Sequence, residues 1–328
     1  MVTKAAGVRV RPFAAADYAR YVEIYNATYP HEPLAVEEAR EQDRDWDAAR
    51  FCLVRLVAED QRGEVAGWGE VRHVTQRFHP RKYWLDLVVD PARRGRGVGS
   101  ALYARLFAEL QARQAIQVRA DAREAAPAVQ FLTQRGFVEV DRVWQSRLYV
   151  DTFDFDGFKD AEPRVLGQGI SFTTFQEELA RDPDAARKAY ALHVAVSEDV
   201  PALDPYTAPP FDNWAKWMLA HRALLDGYLL VKDGDEFVGS SALWRHEGSE
   251  SHWVNQGLTG VRREYRGRGI AMALKVRGVR FAQQYGAREI RTGNNARNQA
   301  MLRVNEALGF VRDAAWIELA KDLDERGE

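Results

Sequence analysis

A single cysteine stands in 328 residues, which excludes an intramolecular disulfide and fits a reducing compartment. It lies in Phe51-Cys52-Leu53-Val54, a run that reads as core packing and not as the surroundings of a nucleophile. Long apolar runs are also missing, so no segment is expected to span a membrane. The first residues, Met1-Val2-Thr3-Lys4-Ala5, lack the apolar core of a signal peptide, and the expected location is cytoplasmic. Charge of one sign is absent as well. With 46 Lys and Arg against 48 Asp and Glu the net charge is −2, and neither nucleic acid nor an anionic membrane is expected as a partner. His73, His79, His193 and His246 show no metal-ligand spacing, so no metal is expected. The glycine-lysine-serine/threonine of a Walker loop and the glycine-x-glycine-x-x-glycine of a dinucleotide site do not occur at the glycine-rich stretches.

Those stretches are one pattern used twice. The first is Val88-Val89-Asp90-Pro91-Ala92-Arg93-Arg94-Gly95-Arg96-Gly97-Val98-Gly99, and the second Gly260-Val261-Arg262-Arg263-Glu264-Tyr265-Arg266-Gly267-Arg268-Gly269-Ile270-Ala271. Each follows a β-branched run that reads as a strand and opens a helical pattern. Glycine permits a sharp turn and close approach, and free N–H groups at a helix start make an anion cradle. Flanking by regular apolar elements argues against a disordered arginine-glycine RNA-binding segment.

The surrounding order repeats too. Strands are expected at 8–13, 51–59, 64–74, 82–89 and 116–121, with helices at 14–28, 36–50, after the loop, and at 125–135. Val138 to Val150 should supply two final strands, with Trp144 and Tyr149 facing cores. The acidic, proline-containing stretch 151–168 reads as a linker between domains 1–150 and 169–328. The second half then runs strand (170–175), helix (177–196), proline-rich loop (200–210), helix (213–224), and strands at 228–231, 236–245 and 252–261. Its loop, helix (270–285), strand (289–292), helix (299–308) and last strand (316–319) follow. The loops lie 172 positions apart and the pairs Gly136-Phe137 and Gly309-Phe310 lie 173 apart, as a drifted domain repeat requires. The expected class is α/β, a mixed sheet with helices on its faces in each of two domains.

Arg94, Gly97 and Gly99, and Arg266, Gly269 and Ala271, fit arginine-x-x-glycine-x-glycine/alanine. This resembles the acetyl-CoA pyrophosphate loop of the GNAT N-acetyltransferase superfamily, and the chain is identified as a tandem GNAT. The resemblance implies acetyl-CoA as co-substrate. The loop N–H groups of Gly95, Arg96, Gly97, Val98 and Gly99, and of Gly267, Arg268, Gly269, Ile270 and Ala271, would hold its pyrophosphate. The backbones of Leu87 and Val89, and of Thr259 and Val261, would line a gap that pantetheine enters as a pseudo-strand. A further signature, Thr292-Gly293-Asn294-Asn295-Ala296-Arg297-Asn298 followed by Met301 to Phe310, is similar to the C-terminal halves of mycothiol-synthase-like bacterial tandem GNATs. It implies pantetheine contacts from Asn294, Asn298 and Asn305, against capping and turn formation as the plainer reading. The first half places Asp121, Ala125 and Leu132 opposite these three.

Acetyl transfer needs a neutral amine, donors for the tetrahedral oxyanion and a proton for the departing thiolate. The N–H of Val89 or Val261 is the expected oxyanion donor. Many GNATs carry a tyrosine acid four residues before the Gly-Phe glycine; Leu132 and Asn305 occupy that place here. Base candidates are Asp86 and Glu70 in the first half and His252 and Asn255 in the second, with Glu198 and Asp199 bordering the proline-rich loop. Surface ion pairing is the commoner use of such carboxylates. Trp214, Trp217, Trp244 and Trp253 read as core before pocket wall. The resulting expectation is acetyl transfer to the amine of a small molecule, favouring the second half. A non-catalytic acyl-CoA sensor or scaffold and a protein or peptide N-acetyltransferase are the alternatives.

Overall fold

Runs of alternating and continuous apolar residues build the strands, and amphipathic helices cover them. The computed structural model describes residues 7–30, 33–219, 223–245 and 252–323; His31 and Glu32 of the first proline loop, and His246, lie outside them. The chain forms two compact units, Met1–Val140 with Ile317–Glu328, and Asp141–Trp316.

In the first unit the elements run β1 (Arg9–Pro12), α1 (Tyr18–Thr28), α2 (Val36–Arg44), β2 (Leu53–Glu59), β3 (Val65–Arg72), β4 (Lys82–Val89), α3 (Val98–Ala112), β5 (Gln117–Arg123) and α4 (Pro127–Thr133). Strands β1 to β4 are successive antiparallel neighbours, and β5 joins β4 in parallel. Val98, Leu102, Leu106 and Leu110 form the buried face of α3 against β2 to β5, while α1 buries Tyr21 and Ile24 with Trp68 and Val88 on the other face.

The second unit contains β6 (Val138–Tyr149), α5 (Ala161–Leu166), β7 (Ser171–Thr174), α6 (Phe175–Arg181), α7 (Ala185–Ser197), α8 (Phe211–Leu219), β8 (Ala223–Asp233), β9 (Glu236–Arg245), β10 (Trp253–Val261), α9 (Ile270–Tyr285), β11 (Glu289–Asn295), α10 (Gln299–Ala307) and β12 (Val311–Arg312). Its sheet order is β6-β11-β10-β9-β8-β7. Helix α9 covers one face through Ala273, Leu274, Val276 and Val279, and α7 covers the other.

Three expectations change. The residues 138–150 make one long strand, β6, and Leu148 and Val150 pack with Val254 and Ile290 in the second unit. The first unit is completed instead by β13 (Trp316–Asp322), whose Ile317 and Leu319 join Val118 and Phe137. The compact units therefore differ from a division at residue 150. Within the expected linker, α5 buries Val165 beside Ile170 and Leu274, so part of that stretch is core. Tyr149 is 46% exposed, and Trp144 lies half-buried under the Arg142 and Arg312 guanidinium groups.

Helix α7 meets β10 where no side chain fits. A Cβ at Gly260 would lie 2.5 Å from the Val196 Cβ, on helix backbone that has little room to retreat. Gly260→Ala should therefore cost about 1–3 kcal/mol by overpacking. A lower urea midpoint at unchanged slope in equilibrium unfolding is the expected result.

Candidate active site

Both glycine-arginine stretches form the same structure. A 3₁₀ turn (Pro91–Arg93; Arg263–Tyr265) leads to an extended arginine and two left-handed glycines, after which the helix begins. Gly97 and Gly269 cap α3 and α9 at φ 82° and 83°, a conformation that favours glycine. The first helical bonds are Ala101 N–H to Gly97 C=O and Ala273 N–H to Gly269 C=O. The N–H groups from Val98 to Ser100 and from Ile270 to Met272 thus lack acceptors within their helices. A Cβ added at Gly95 or Gly267 would meet nothing within 4 Å, so the loops face open space. Both loops have the backbone geometry of an anion cradle.

Arg94 and Arg266, exposed like Arg96 and Arg268, fold back onto the preceding strand. Their Nε atoms donate to the carbonyls of Val89 (3.2 Å) and Val261 (3.0 Å), and Arg266 also pairs with Asp199. They tie the loop to the strand that precedes it. Arg96 and Arg268 are the exposed arginines between the paired glycines.

Each loop follows a strand that leaves its parallel neighbour. Pairing of β4 with β5 covers Lys82 to Trp84 only, whereas β4 pairs with β3 through Val89. Pairing of β10 with β11 covers Trp253 to Asn255 only, whereas β10 follows β9 to Val261. Asp90 N–H bonds to Ala66 and Arg262 N–H to Val238, so alternation turns the backbone groups of Leu87, Val89, Thr259 and Val261 toward the open side. The four expected backbone positions therefore face the two gaps.

The gaps differ in lining. Strand β10 carries a bulge between Gln256 and Thr259, and β4 pairs without one. The bulge puts Gln256 and Thr259 on one face, where both reach Ser241 (3.0 and 2.9 Å). Thr292 Oγ1 donates to the Gln256 carbonyl, and Asn305 Nδ2 donates to Asn294 Oδ1 at 2.6 Å. Two of the three asparagines meet at the gap. Asn298 instead caps α10 by accepting from Met301 N–H, the plainer of its two expected uses. In the first unit the same face holds Leu87 and Leu132, and Ala122 packs toward α3. Asp121 alternates to the opposite face, so Ala122, not Asp121, registers with Asn294. The interval from Asn294 to Asn298 is one residue longer than that from Ala122 to Ala125, which accounts for this one-position slip.

On that opposite face the first unit has a chain of charges. Asp43 accepts both Arg55 terminal nitrogens (2.7 and 3.0 Å), Arg55 Nε donates to Glu70 (2.6 Å), and Arg72 joins Glu70 (3.1 Å) to Asp86 (3.2 Å). Glu70 and Asp86 are thus brought together beside the gap, both already paired. Burial raises the Asp86 carboxyl above its usual range, opposed by Arg72 and reinforced by Glu70. Asp121 is exposed on β5, so desolvation counts for less than repulsion from Asp86 and Glu318 in raising its carboxyl above the usual range, a base position that its use as an asparagine counterpart had hidden.

In the second unit His252 is exposed and precedes β10; its carbonyl accepts Arg288 N–H at the closed end of the gap, away from the loop. Asn255 holds the last paired position, at the fork. Asp199 is engaged with Arg263 and Arg266, which hold its carboxyl below the usual range. Trp214 is core, but Trp217 is 52% exposed and rests 4.4 Å from Trp244, whose indole lies where a Gly257 side chain would be. His193, which offered no metal spacing, lies 3.3 Å from the Tyr206 hydroxyl, and burial pulls it down to about 4, leaving it neutral.

The family model described as "Acetyltransferase (GNAT) family" matches residues 18–137 and 177–310, spanning both loops. The chain belongs to the acetyltransferase (GNAT) family. It is an N-acetyltransferase with two GNAT regions, a mixed α/β fold that the sequence resemblance anticipated. It is 27% identical over 264 residues to the mycothiol acetyltransferase of Amycolatopsis mediterranei, covering 79% of this chain and 81% of that one. The mycothiol acetyltransferase of Streptomyces scabiei is 30% identical over 229 residues, 69% of this chain and 67% of the relative. Among solved structures, a tandem GNAT protein from the clavulanic acid biosynthesis pathway superposes with a TM-score of 0.72 at 18% identity, covering 96% of this chain and 98% of that one. That likeness shows the fold. Among the described residues no cluster of acids, histidines and cysteines could hold a metal, and no helix is long and apolar enough to cross a membrane.

One buried charge of the second unit was not legible from the motifs. Lys275 of α9 is 2% exposed, and burial alone lowers its ammonium from 10.5 to about 7. Below pH 7 folded and unfolded chains both carry this proton and the burial cost is complete. Between 7 and 10.5 the unfolded chain binds more protons, so stability rises with pH. Lys275→Met should flatten the rise in melting temperature from pH 7 to 10 and raise stability most at the acid end. Thermal unfolding across that range checks it.

Proposed function

We propose that the protein transfers acetyl from acetyl-CoA to the amine of a small molecule, with the second unit as the principal site. The observation that carries this is the parting of β10 from β11 immediately before the glycine loop. The gap presents donors and acceptors from Thr259, Val261, Asn294 and Asn305 along its length, which suits the two amides of pantetheine. The cradle at Gly267 to Ala271 lies at its open end, where the pyrophosphate carries charge. The residues fit the group. In the reaction acetyl-CoA supplies an activated acyl group; this chain holds it extended, fixes its carbonyl against backbone N–H groups and keeps the amine on the opposite face. The mycothiol acetyltransferase relatives support a small-molecule acceptor.

A second reading, catalysis in the first unit as well, is favoured by Asp121. An exposed carboxylate raised by its acidic neighbours, in a unit that keeps its glycine loop, suits general-base work.

Calorimetric titration with acetyl-CoA and amine-dependent release of CoA thiol, on wild type, Gly97→Glu and Gly269→Glu, test the proposal. Glutamate at either glycine adds bulk, charge and left-handed strain, so Gly97→Ala and Gly269→Ala measure the strain alone. Gly269→Glu should lose binding at one site and at least ~10²-fold in transfer, as expected where positioned donors are lost. Gly97→Glu should retain transfer within a few-fold. The reverse pattern would overturn the choice of unit, and a folded wild type that binds no acetyl-CoA would overturn the cofactor.

A further inference from the structure

A buried charge without a partner lies in the second unit. Lys275 has no hydrogen-bond or ion-pair partner among the described residues, and its Nζ stands 5.3 Å from the centre of the Phe310 ring. Phe310 N–H bonds to the Asn305 carbonyl, so ring and asparagine share one end of α10. Asn305 is itself 2% exposed, and its Oδ1 is buried with no partner. Two helices thus bring unsatisfied polar atoms to one seam. The first unit repeats the feature at the matching place in α3, where the Tyr103 hydroxyl is buried without a partner. An orphaned polar atom in a native interior calls for an occupant.

The seam can be located along the gap. A Cβ at Gly278 would lie 3.7 Å from Gln256 Oε1, so α9 touches β10 there. Lys275 is one helical turn nearer the loop on the same face. It therefore flanks the gap just beyond Gln256, at the bulge. Gln256, Thr259, Asn294 and Asn305 can donate hydrogen bonds, yet none has a proton to surrender near neutral pH. Lys275 does.

We propose that Lys275 is the proton donor of acetyl transfer in the second unit, its ammonium facing the thioester sulfur and protonating the CoA thiolate as it leaves. The inference rests on the reading of this gap as the acetyl-CoA site. As the amine nitrogen bonds to the acetyl carbon and the tetrahedral centre collapses, the C–S bond breaks and sulfur departs with the electron pair. Sulfur takes a proton from Nζ and leaves as CoA thiol. The new amide nitrogen releases its extra proton to solvent, and the neutral Lys275 amine recovers one from solvent. The surroundings suit this exchange. Glu162 of α5 is occupied by Arg277 and Arg280, Glu289 of β11 by Arg291, and Glu306 of α10 by Arg312, so no carboxylate holds the Lys275 proton. Burial without compensation makes the ammonium a readier acid than an exposed lysine.

The test needs no known acceptor. CoA is bound to wild type, Lys275→Met and Lys275→Arg, and the thiol is titrated by its ultraviolet thiolate absorbance, with desulfo-CoA as the sulfur-free control. Thiolate and ammonium stabilise each other, so the bound thiol should show part of its thiolate absorbance where Lys275 titrates, at about 7, below the ordinary thiol range. Lys275→Met should abolish that early absorbance while binding desulfo-CoA as wild type does, and Lys275→Arg should keep it. With an amine substrate, Lys275→Met should lower kcat by at least ~10²-fold with KM nearly unchanged. Equal thiol pKa values in bound wild type and Lys275→Met would overturn the assignment. So would equal loss of CoA and desulfo-CoA affinity, which would make Lys275 an anchor, or acetylation of Lys275 itself in the intact mass. Failure of wild type to bind CoA at all is a different result, which removes the acetyl-CoA reading and the inference together.

Discussion

A parallel strand pair left unfinished governs the site. Buried backbone N–H and C=O groups are nearly always paired, and a strand that parts from its neighbour inside a sheet leaves a row of them unmet. Between Asn255 and Val261 the row faces a space that β11 has vacated. Only an extended chain with its own amides could fill that space as a strand would. The loop beyond it adds a second condition, since in the proposed reading its free N–H groups suit an anion at the end of that chain. Pseudo-strand and phosphate are therefore one requirement, stated twice by adjacent backbone.

The two units meet this requirement with different side chains. In the first, the acceptor face is built from Asp43, Arg55, Glu70, Arg72 and Asp86 in continuous ion pairing, with Phe13 and Tyr21 about 5 Å from the Arg55 guanidinium. Removing one member of such a buried chain strands its neighbour's charge, so the network is stiff and hard to alter piecemeal. In the second, the same face offers the Trp217–Trp244 pair over Gly257, and the polar atoms have moved to the cofactor side. A repeat that began as one scaffold thus separates its chemistry by face.

Much of the scaffold was legible. β4 spans Lys82 to Val89 as its apolar run implied, and the loop glycines adopt the left-handed conformation that their motif requires. What escaped was set by contacts distant in sequence. Nothing local in residues 138–150 or 316–322 states which unit each strand will complete, because both mix apolar and polar residues in a way acceptable to either. One residue more separates Asn294 from Asn298 than separates Ala122 from Ala125, so counting back from the Gly-Phe pairs puts Asp121 where the strand pairing puts Ala122. Arg94 and Arg266 matched the motif, but only the fold shows their Nε atoms bound to the preceding strand. Asn298 and Asn305 belong to one signature and divide between a cap and a buried contact.

Lys275 stands apart because its sequence context is that of an ordinary helix-core position. Methionine would fill the same volume without desolvating a charge, and a fold selected for stability alone would favour it. Strained or unsatisfied groups persist where function requires them, at some cost in stability. The neighbouring Asn305 carries the same implication, since one half of its amide is satisfied and the other is left open toward the seam. Two such departures on facing helices are difficult to attribute to packing. They become intelligible together once the gap is filled, because an entering thioester brings a sulfur that must leave as a thiol and amides that must be bound. In the proposed reading, acetyl-CoA would give both groups the partners that the protein alone does not.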